Sequence, residues 1–169
     1  MFPAIRSVRA FARIIPKRSY ASPAAAANTA AGTEELRLTF SSPATAVYAN
    51  KTVKQVDVPT LAGTIGILAN HVPVIGVLKP GVVQVTDIDG NVNKHFVSSG
   101  TVAMNIDGSC QVLAEEILKI EDIDETLARQ ELDNANRAAA EGGSEVDRAE
   151  AQIRAEVADA LVKAATGQI

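Results

Sequence analysis

Apolar and polar positions alternate along the chain from Leu36 to about Ile120, and the period lengthens to about 3.6 after that point. Leu36, Leu38 and Phe40 alternate with Arg37 and Thr39, as in a half-buried strand. Val53 and Val56 mark a second strand within Lys51 to Val58, and Val83 and Val85 a third before Asp87. Asp89-Gly90 is a hairpin turn signal. Val92 to Val97, Val102 to Ile106 and Cys110 to Leu113 give further short strands, with Asp107-Gly108 as another tight turn. Strands this short and this regularly spaced predict an antiparallel β-sandwich or barrel.

Beyond Ile120 the pattern is helical. Asp122 is placed to cap a first helix, with Glu125 three residues on as its reciprocal partner. Ala128, Leu132, Ala135 and Ala139 fall on one face, and Gly142-Gly143 ends the helix. Ser144 caps a second helix, with Asp147 in its first turn where the dipole favours negative charge. Its apolar stripe reads Val146, Ala149, Ile153, Val157, Ala160 and Ala164, widened by Leu161. A connection this short forces an antiparallel helical hairpin. Alanine-rich faces let two such helices approach closely.

One stretch invites a rival reading. Val58 to Leu78 holds no charged residue over 21 positions, long enough for a membrane helix. It also holds Pro59, Gly63, Gly66, Asn70, His71, Pro73 and Gly76, which would leave backbone groups unpaired in lipid. A strand, an irregular loop and another strand fit it better.

Charge changes the picture at the N-terminus. Arg6, Arg9, Arg13, Lys17 and Arg18 precede the first acid, Glu34. Ile5, Val8, Ala12 and Ile15 recur between them at helical spacing, so a helix here has one apolar and one cationic face. That is the pattern of a mitochondrial transit peptide. No uninterrupted apolar run follows the charges, as a secretory signal requires. Arg18-Ser19-Tyr20-Ala21 resembles a processing site, which sets residues 1–20 as an address and residues 21–33, with seven alanines in thirteen, as a flexible leader. Without the first twenty residues the chain has 11 bases and 20 acids, a net charge of −9. That acidity and a total of six aromatics disfavour nucleic acid as a partner. The 47% hydrophobic content excludes wholesale disorder, and one cysteine excludes a disulfide scaffold. The domain division is then residues 34–120 for the sandwich and 121–169 for the hairpin.

Catalytic chemistry is hard to assemble from what is present. The histidines are His71, in the Gly-Pro stretch, and His95, in a strand pattern. There is no Cys-x-x-Cys, no His-Glu-x-x-His and no glycine loop ending in Lys-Ser or Lys-Thr, so no metal, cofactor or catalytic residue is assigned. Cys110 reads as a small buried apolar group. Glu115-Glu116 are consecutive, so in a strand they point to opposite faces and read as a solvated edge. What remains is interaction surface: an acidic hairpin and an uncharged, glycine-rich stretch.

Gly63-Thr64-Ile65-Gly66 through His71-Val72-Pro73 to Leu78-Lys79-Pro80-Gly81 resembles a motif of the delta/epsilon family of ATP synthase central-stalk subunits. Phe96-Val97-Ser98-Ser99-Gly100 resembles its second motif and Asp122-Ile123-Asp124-Glu125 its third, in the family's order. The basic leader points to the mitochondrial branch. The resemblance implies a sandwich of about ten strands followed by a two-helix hairpin, with no catalytic role and no cofactor. It implies a rotor part that couples the membrane c-ring to the gamma subunit, and so proton transport to ATP synthesis. A small epsilon subunit would be a further partner. The location implied is the matrix side of the mitochondrial inner membrane, held peripherally without a transmembrane helix.

Position by position, Thr60, Leu61, Ala62, Gly63 and Thr64 resemble the ring-facing loop, and His71, Ile75 and Ser98 resemble gamma-facing positions. Thr64 stands where bacterial members often place an acid. Some bacterial members bind ATP through an Ile-Asp-x-x-Arg-Ala pattern at the hairpin. Here it reads Ile123-Asp124-Glu125-Thr126-Leu127-Ala128, with leucine in place of the arginine and Arg129 two residues late. That departure argues against nucleotide sensing; a nucleotide-sensing regulatory subunit of the same fold stands as the alternative function.

Overall fold

The computed structural model describes residues 35–141 and 143–168. The address and leader read in residues 1–20 and 21–33 lie outside them. Ten strands come first: β1 (Leu36–Ser41), β2 (Ala46–Val53), β3 (Gln55–Thr60), β4 (Gly63–Leu68), β5 (Val74–Leu78), β6 (Gly81–Thr86), β7 (Val92–Val97), β8 (Gly100–Met104), β9 (Ser109–Ala114) and β10 (Ile117–Lys119). A 3₁₀ turn at Ile120–Asp122 leads into α1 (Glu125–Glu141) and α2 (Glu145–Ala165).

The sheet runs β10-β7-β6-β3-β5-β8-β9-β1-β2, with β4 paired to β3 off this path. Between β3 and β5 only Thr60 and Leu78 pair, so the sheet divides there into two layers. One layer is β10, β7, β6, β3 and β4; the other is β5, β8, β9, β1 and β2. All pairs are antiparallel except β1 with β9, which run parallel from Arg37↔Ser109 to Ser41↔Leu113. The antiparallel expectation holds for hairpin-linked neighbours. β1 and β9 are distant in sequence, and no short turn dictates their relative direction.

The core lies between the layers. Leu36, Leu38 and Phe40 of β1 point inward in strict alternation and meet Val56, Val58, Ile67, Val83, Val85, Val102 and Val112. Each such side chain contributes about 1.5–3 kcal/mol of burial.

Three strand boundaries differ from the sequence reading, the smallest change being that the strand read over Val102 to Ile106 is Gly100–Met104. Lys51 to Val58 is not one strand: it bends at Lys54, whose N–H donates to the Thr86 carbonyl (2.9 Å), and Val53 and Val56 belong to different strands. Val58 to Leu78 holds three strands, because β4 occupies the segment read as an irregular loop. Gly63 and Gly66 remove two side chains from β4, so its alternation is invisible. The turn preceding β4 is Leu61-Ala62, which carries none of the usual turn residues.

The hairpin also departs from expectation at its start. Asp122 sits in the 3₁₀ turn, and the cap of α1 is Asp124, whose Oδ1 accepts from the N–H groups of Thr126 (2.8 Å) and Leu127 (3.1 Å). Ile120 and Ile123 pack against Val82 and Phe96, and Ile123 is extended between the 3₁₀ turn and Asp124, so α1 starts after Asp124. Ser144 caps α2 as expected: its hydroxyl accepts from the Asp147 N–H, and the Asp147 carboxylate accepts from the Ser144 N–H (2.9 Å). The Ser144 N–H, and then the Ser144 hydroxyl beside it, hold the Asp147 carboxyl below its usual pKa.

The facing surfaces of the helices bury Ala128 and Ala135 on α1, and Ala151 and Ala158 on α2. An Arg154–Glu131 ion pair links the helices across the hairpin. The stripe expected on α2 is half right. Val157, Ala160, Leu161 and Ala164 pack toward the sandwich, but Val146 and Ile153 are 64% and 63% exposed. Close approach favours the alanine face, and the sandwich covers only the C-terminal half of α2.

Candidate functional site

The two layers have different outer faces. On the first, Val82 of β6 pairs with Phe96 of β7, and both are buried beneath Val157, Leu161 and Ala164. On the second, no described element lies over the strands. The pairing there sets Val77 beside Thr101 beside Leu113, and Ile75 beside Ala103 beside Gln111. On β1 the same face continues with Ser41 and Thr39. None of these eight side chains is charged; the first charge on this face is Arg37 at the start of β1, paired with Asp107. Ile75 is 84% exposed, and Val77 and Leu113 are also open to solvent.

Leu61, Leu68 and Val72 extend the exposed apolar character around the tips of β3, β4 and β5. A charge-depleted, aliphatic surface of this kind is what the centre of a protein–protein interface presents.

The structure places the expected contact residues unequally. Of the five ring-facing candidates, Leu61 (72% exposed), Ala62 and Thr64 are open, and Gly63 is half-buried. Thr60 is buried at 2% exposure, and its hydroxyl donates to the Gly63 carbonyl (2.6 Å), closing the hairpin. Its side chain cannot reach a partner. The segment is a tight β3–β4 hairpin with Leu61-Ala62 at its tip rather than a loop.

Of the gamma-facing candidates, Ile75 is the most exposed aliphatic residue on the bare face. His71 follows β4, and its Nδ1 lies 2.8 Å from the Val72 carbonyl. Ser98 sits in the β7–β8 connection with its hydroxyl buried and without a hydrogen-bond partner, so it does not belong to the exposed patch. Val77 and Leu68 could have been found from the uncharged run 58–78. Leu113 joins them only through the β8–β9 pairing.

Elsewhere the chemistry is quiet. His95 points into the core, edge-on to Phe40 (5.7 Å) and Tyr48 (6.4 Å), with Nδ1 buried and unpaired. Burial, and then the Lys119 ammonium beside it, lowers its pKa. Burial pushes the Cys110 thiol up to about 11, which leaves it unreactive.

Arg129 is held by Glu125 (2.6 Å). A cleft of about 310 Å³ between α2 and the first layer brings Lys79 and Lys163 beside Asp57, Glu156 and Asp159. Lys163 already bonds Asp159 (2.5 Å), and the surplus of acids opposes an anion there. Among the described residues no three His, Cys, Asp or Glu side chains are gathered to hold a metal, and no helix is long and apolar enough to cross a membrane.

Comparison with known proteins adds the family. The pattern described as the ATP synthase delta/epsilon chain β-sandwich domain matches residues 35–120. A Caenorhabditis elegans protein named ATP synthase subunit delta, mitochondrial, is 68% identical over 163 residues, 96% of this chain and 98% of that one. A protein of the same name from Agaricus bisporus is 39% identical over 128 residues, 76% and 78% of the two chains. A chain in the Euglena gracilis mitochondrial ATP synthase has the same fold, with a TM-score of 0.70 at 22% identity over 76% of this chain and 80% of that one. The chain belongs to the delta/epsilon family of ATP synthase subunits, in its mitochondrial delta branch.

Proposed function

We propose that the chain is a non-catalytic rotor component of the mitochondrial ATP synthase central stalk, joining the c-ring to the gamma subunit. The small epsilon subunit is its third partner. It works on the matrix side of the inner membrane, held there by protein contacts. Residues 1–20 are the import address and 21–33 a leader. Residues 34–120 form the rigid wedge between ring and gamma subunit, and 121–169 the hairpin braced against that wedge.

The observation that carries this reading is the bare, uncharged patch around Ile75, Val77 and Leu113 on the second layer, together with the exposed Leu61-Ala62 tip. A torque-bearing part needs two such surfaces on a body that does not deform. Close packing between the two layers supplies the stiffness. Leu61, Ala62 and Thr64 are the ring-facing contacts, and Ile75, with His71 beside it, faces the gamma subunit.

Native electrophoresis of mildly solubilised mitochondria tests this directly. The chain is expected to migrate with the high-mass synthase, shorter by its N-terminal address. A small matrix species alone would overturn the stalk reading. Ile75→Asp is expected to shift the chain out of the complex without unfolding it. Full assembly of that variant would remove Ile75 from the gamma contact.

A further inference from the structure

β4 is an unprotected edge. Among the described residues, β10 and β2 end the pairing path and β4 pairs only with β3. β10 is three residues long and ends in Lys119. β2 carries Lys51, a positive-φ Asn50 and irregular register against β1. Short length, lysine and irregularity are the usual guards against strand addition. β4, Gly-Thr-Ile-Gly-Ile-Leu, holds no lysine and keeps an unbroken register against β3 from Gly63 to Leu68; its one positive φ is at its first residue, Gly63.

The direction of its backbone groups follows from its neighbours. Leu61 N–H donates to the Val77 carbonyl (3.1 Å) and Lys79 N–H to the Pro59 carbonyl (3.1 Å), so Pro59 and Leu61 address β5. Successive residues of a strand address opposite neighbours, so Val56, Val58 and Thr60 address β4. Their partners are Ile67, Ile65 and Gly63. Thr64, Gly66 and Leu68 therefore turn their N–H groups to the open side, with the carbonyls of Thr64 and Gly66. The Leu68 carbonyl is taken by His71 N–H (3.2 Å).

We propose that β4 receives an extended, uncharged strand of the stalk partner that covers Ile75, which pairs with the backbone of Thr64, Gly66 and Leu68 and leaves the Thr64 side chain to the ring. The proposal rests on the stalk reading and deepens it, since it names how that partner binds. A second copy of this chain is the weaker occupant. A six-residue edge holding two glycines buries far less than the ~1,200–2,000 Å² of a stable interface. A different chain that pairs with β4 has the bare face around Ile75 to bury as well. The absence of charge from Val58 to Leu78 calls for an uncharged incoming segment. Backbone pairing of this kind supplies affinity while alternate side chains supply specificity.

The test is a pair of substitutions at Gly66 in the full chain, expressed in mitochondria in place of the native copy. Gly66→Ala adds a Cβ 2.9 Å from Asp57 Oδ1, the end of a flexible side chain, and keeps the N–H. Gly66→Pro adds the same carbon and removes the N–H, on an edge whose N–H faces solvent and so tolerates proline. Gly66→Pro is expected to lower the fraction in the high-mass complex about tenfold relative to Gly66→Ala, the two melting alike. Equal assembly of both would overturn strand addition and leave the stalk reading standing. Failure of the unsubstituted chain to enter the complex would overturn both.

If Gly66→Pro does not fold, amide exchange decides. The N–H groups of Thr64 and Gly66 are expected to exchange fast in the free chain and at least ~100-fold more slowly in the complex, while Ile65 and Ile67 stay protected in both. Unchanged exchange on assembly would overturn the proposal. So would a dimer of the free chain that protects the same amides.

Discussion

The outer face of one layer buries Val82 and Phe96 under α2, and the outer face of the other leaves Ile75, Val77 and Leu113 in water. The residues are of the same kind and stand on strands of similar length. What differs is whether a described element of the chain lies over them. The cover it does supply is a modest one: α1 and α2 meet largely through alanines, whose methyl groups contribute about 0.8 kcal/mol each, against about 1.5–3 for a core aliphatic or aromatic side chain. The hairpin therefore depends on its seat over Phe96, while the sandwich stands on its own interior. A sandwich that is stable without its second outer face covered can offer that face to another protein.

The largest test of this contrast is Phe96→Ala, expected to cost about 3–5 kcal/mol through the cavity under α2. Thermal unfolding followed by circular dichroism reads it, and an unmoved midpoint would mean α2 is not seated there. Ala135→Glu comes next: a carboxylate at a fully buried, alanine-lined position should cost about 3 kcal/mol. Helical signal should be lost at a lower temperature than the sandwich signal. A single transition at the lower temperature would show that the two regions unfold as one unit. Ser144→Ala removes the hydroxyl that accepts from Asp147 N–H and should cost ~1 kcal/mol, seen as a small shift in the urea midpoint.

On the bare side, Ile75→Asp should change stability by no more than ~0.5 kcal/mol, because its side chain already lies in solvent. A loss comparable to that of Phe96→Ala would erase the distinction between the faces. The smallest effect, absent at neutral pH, belongs to His95. Its folded pKa lies below the unfolded value of 6.5, so its neutral form is the one the fold accepts. Stability is complete above pH 6.5 and declines as pH falls through it, because the unfolded chain takes up a proton that the folded one refuses. The decline levels off below the folded pKa. His95→Gln should remove this decline in unfolding experiments between pH 6.5 and about 5, above the carboxylate range.

Much of the architecture was legible in the residues. β1 announces itself by alternation, the β6–β7 hairpin by Asp89-Gly90 and α2 by Ser144 with Asp147. β4 was not legible, because glycine carries no side chain whose polarity could alternate. Asp124 was missed as a cap because Asp122 offers the same signal, and only the packing of Ile120 and Ile123 on Phe96 selects between them. Ile75 was singled out by motif, whereas the extent of its patch was not readable. Leu113 reaches it by lying two strands away in the register. Thr60 looks like a loop residue in sequence and is buried in the structure, because its hydroxyl closes the hairpin.

The sequence by itself determined the two kinds of element, their order, the uncharged stretch between Val58 and Leu78 and the scarcity of groups able to do chemistry. Local period, turn residues and composition are properties of neighbours along the chain, and they need no fold to be read. Tertiary structure alone decided which apolar surfaces are covered, which face of α2 meets α1, and which strand edge is left open. Those outcomes depend on pairings between distant segments, such as Thr60 with Leu78 and β1 with β9, and on how far one helix reaches across one layer. An aliphatic residue on an outer face has the same local pattern whether a helix lies over it or water does.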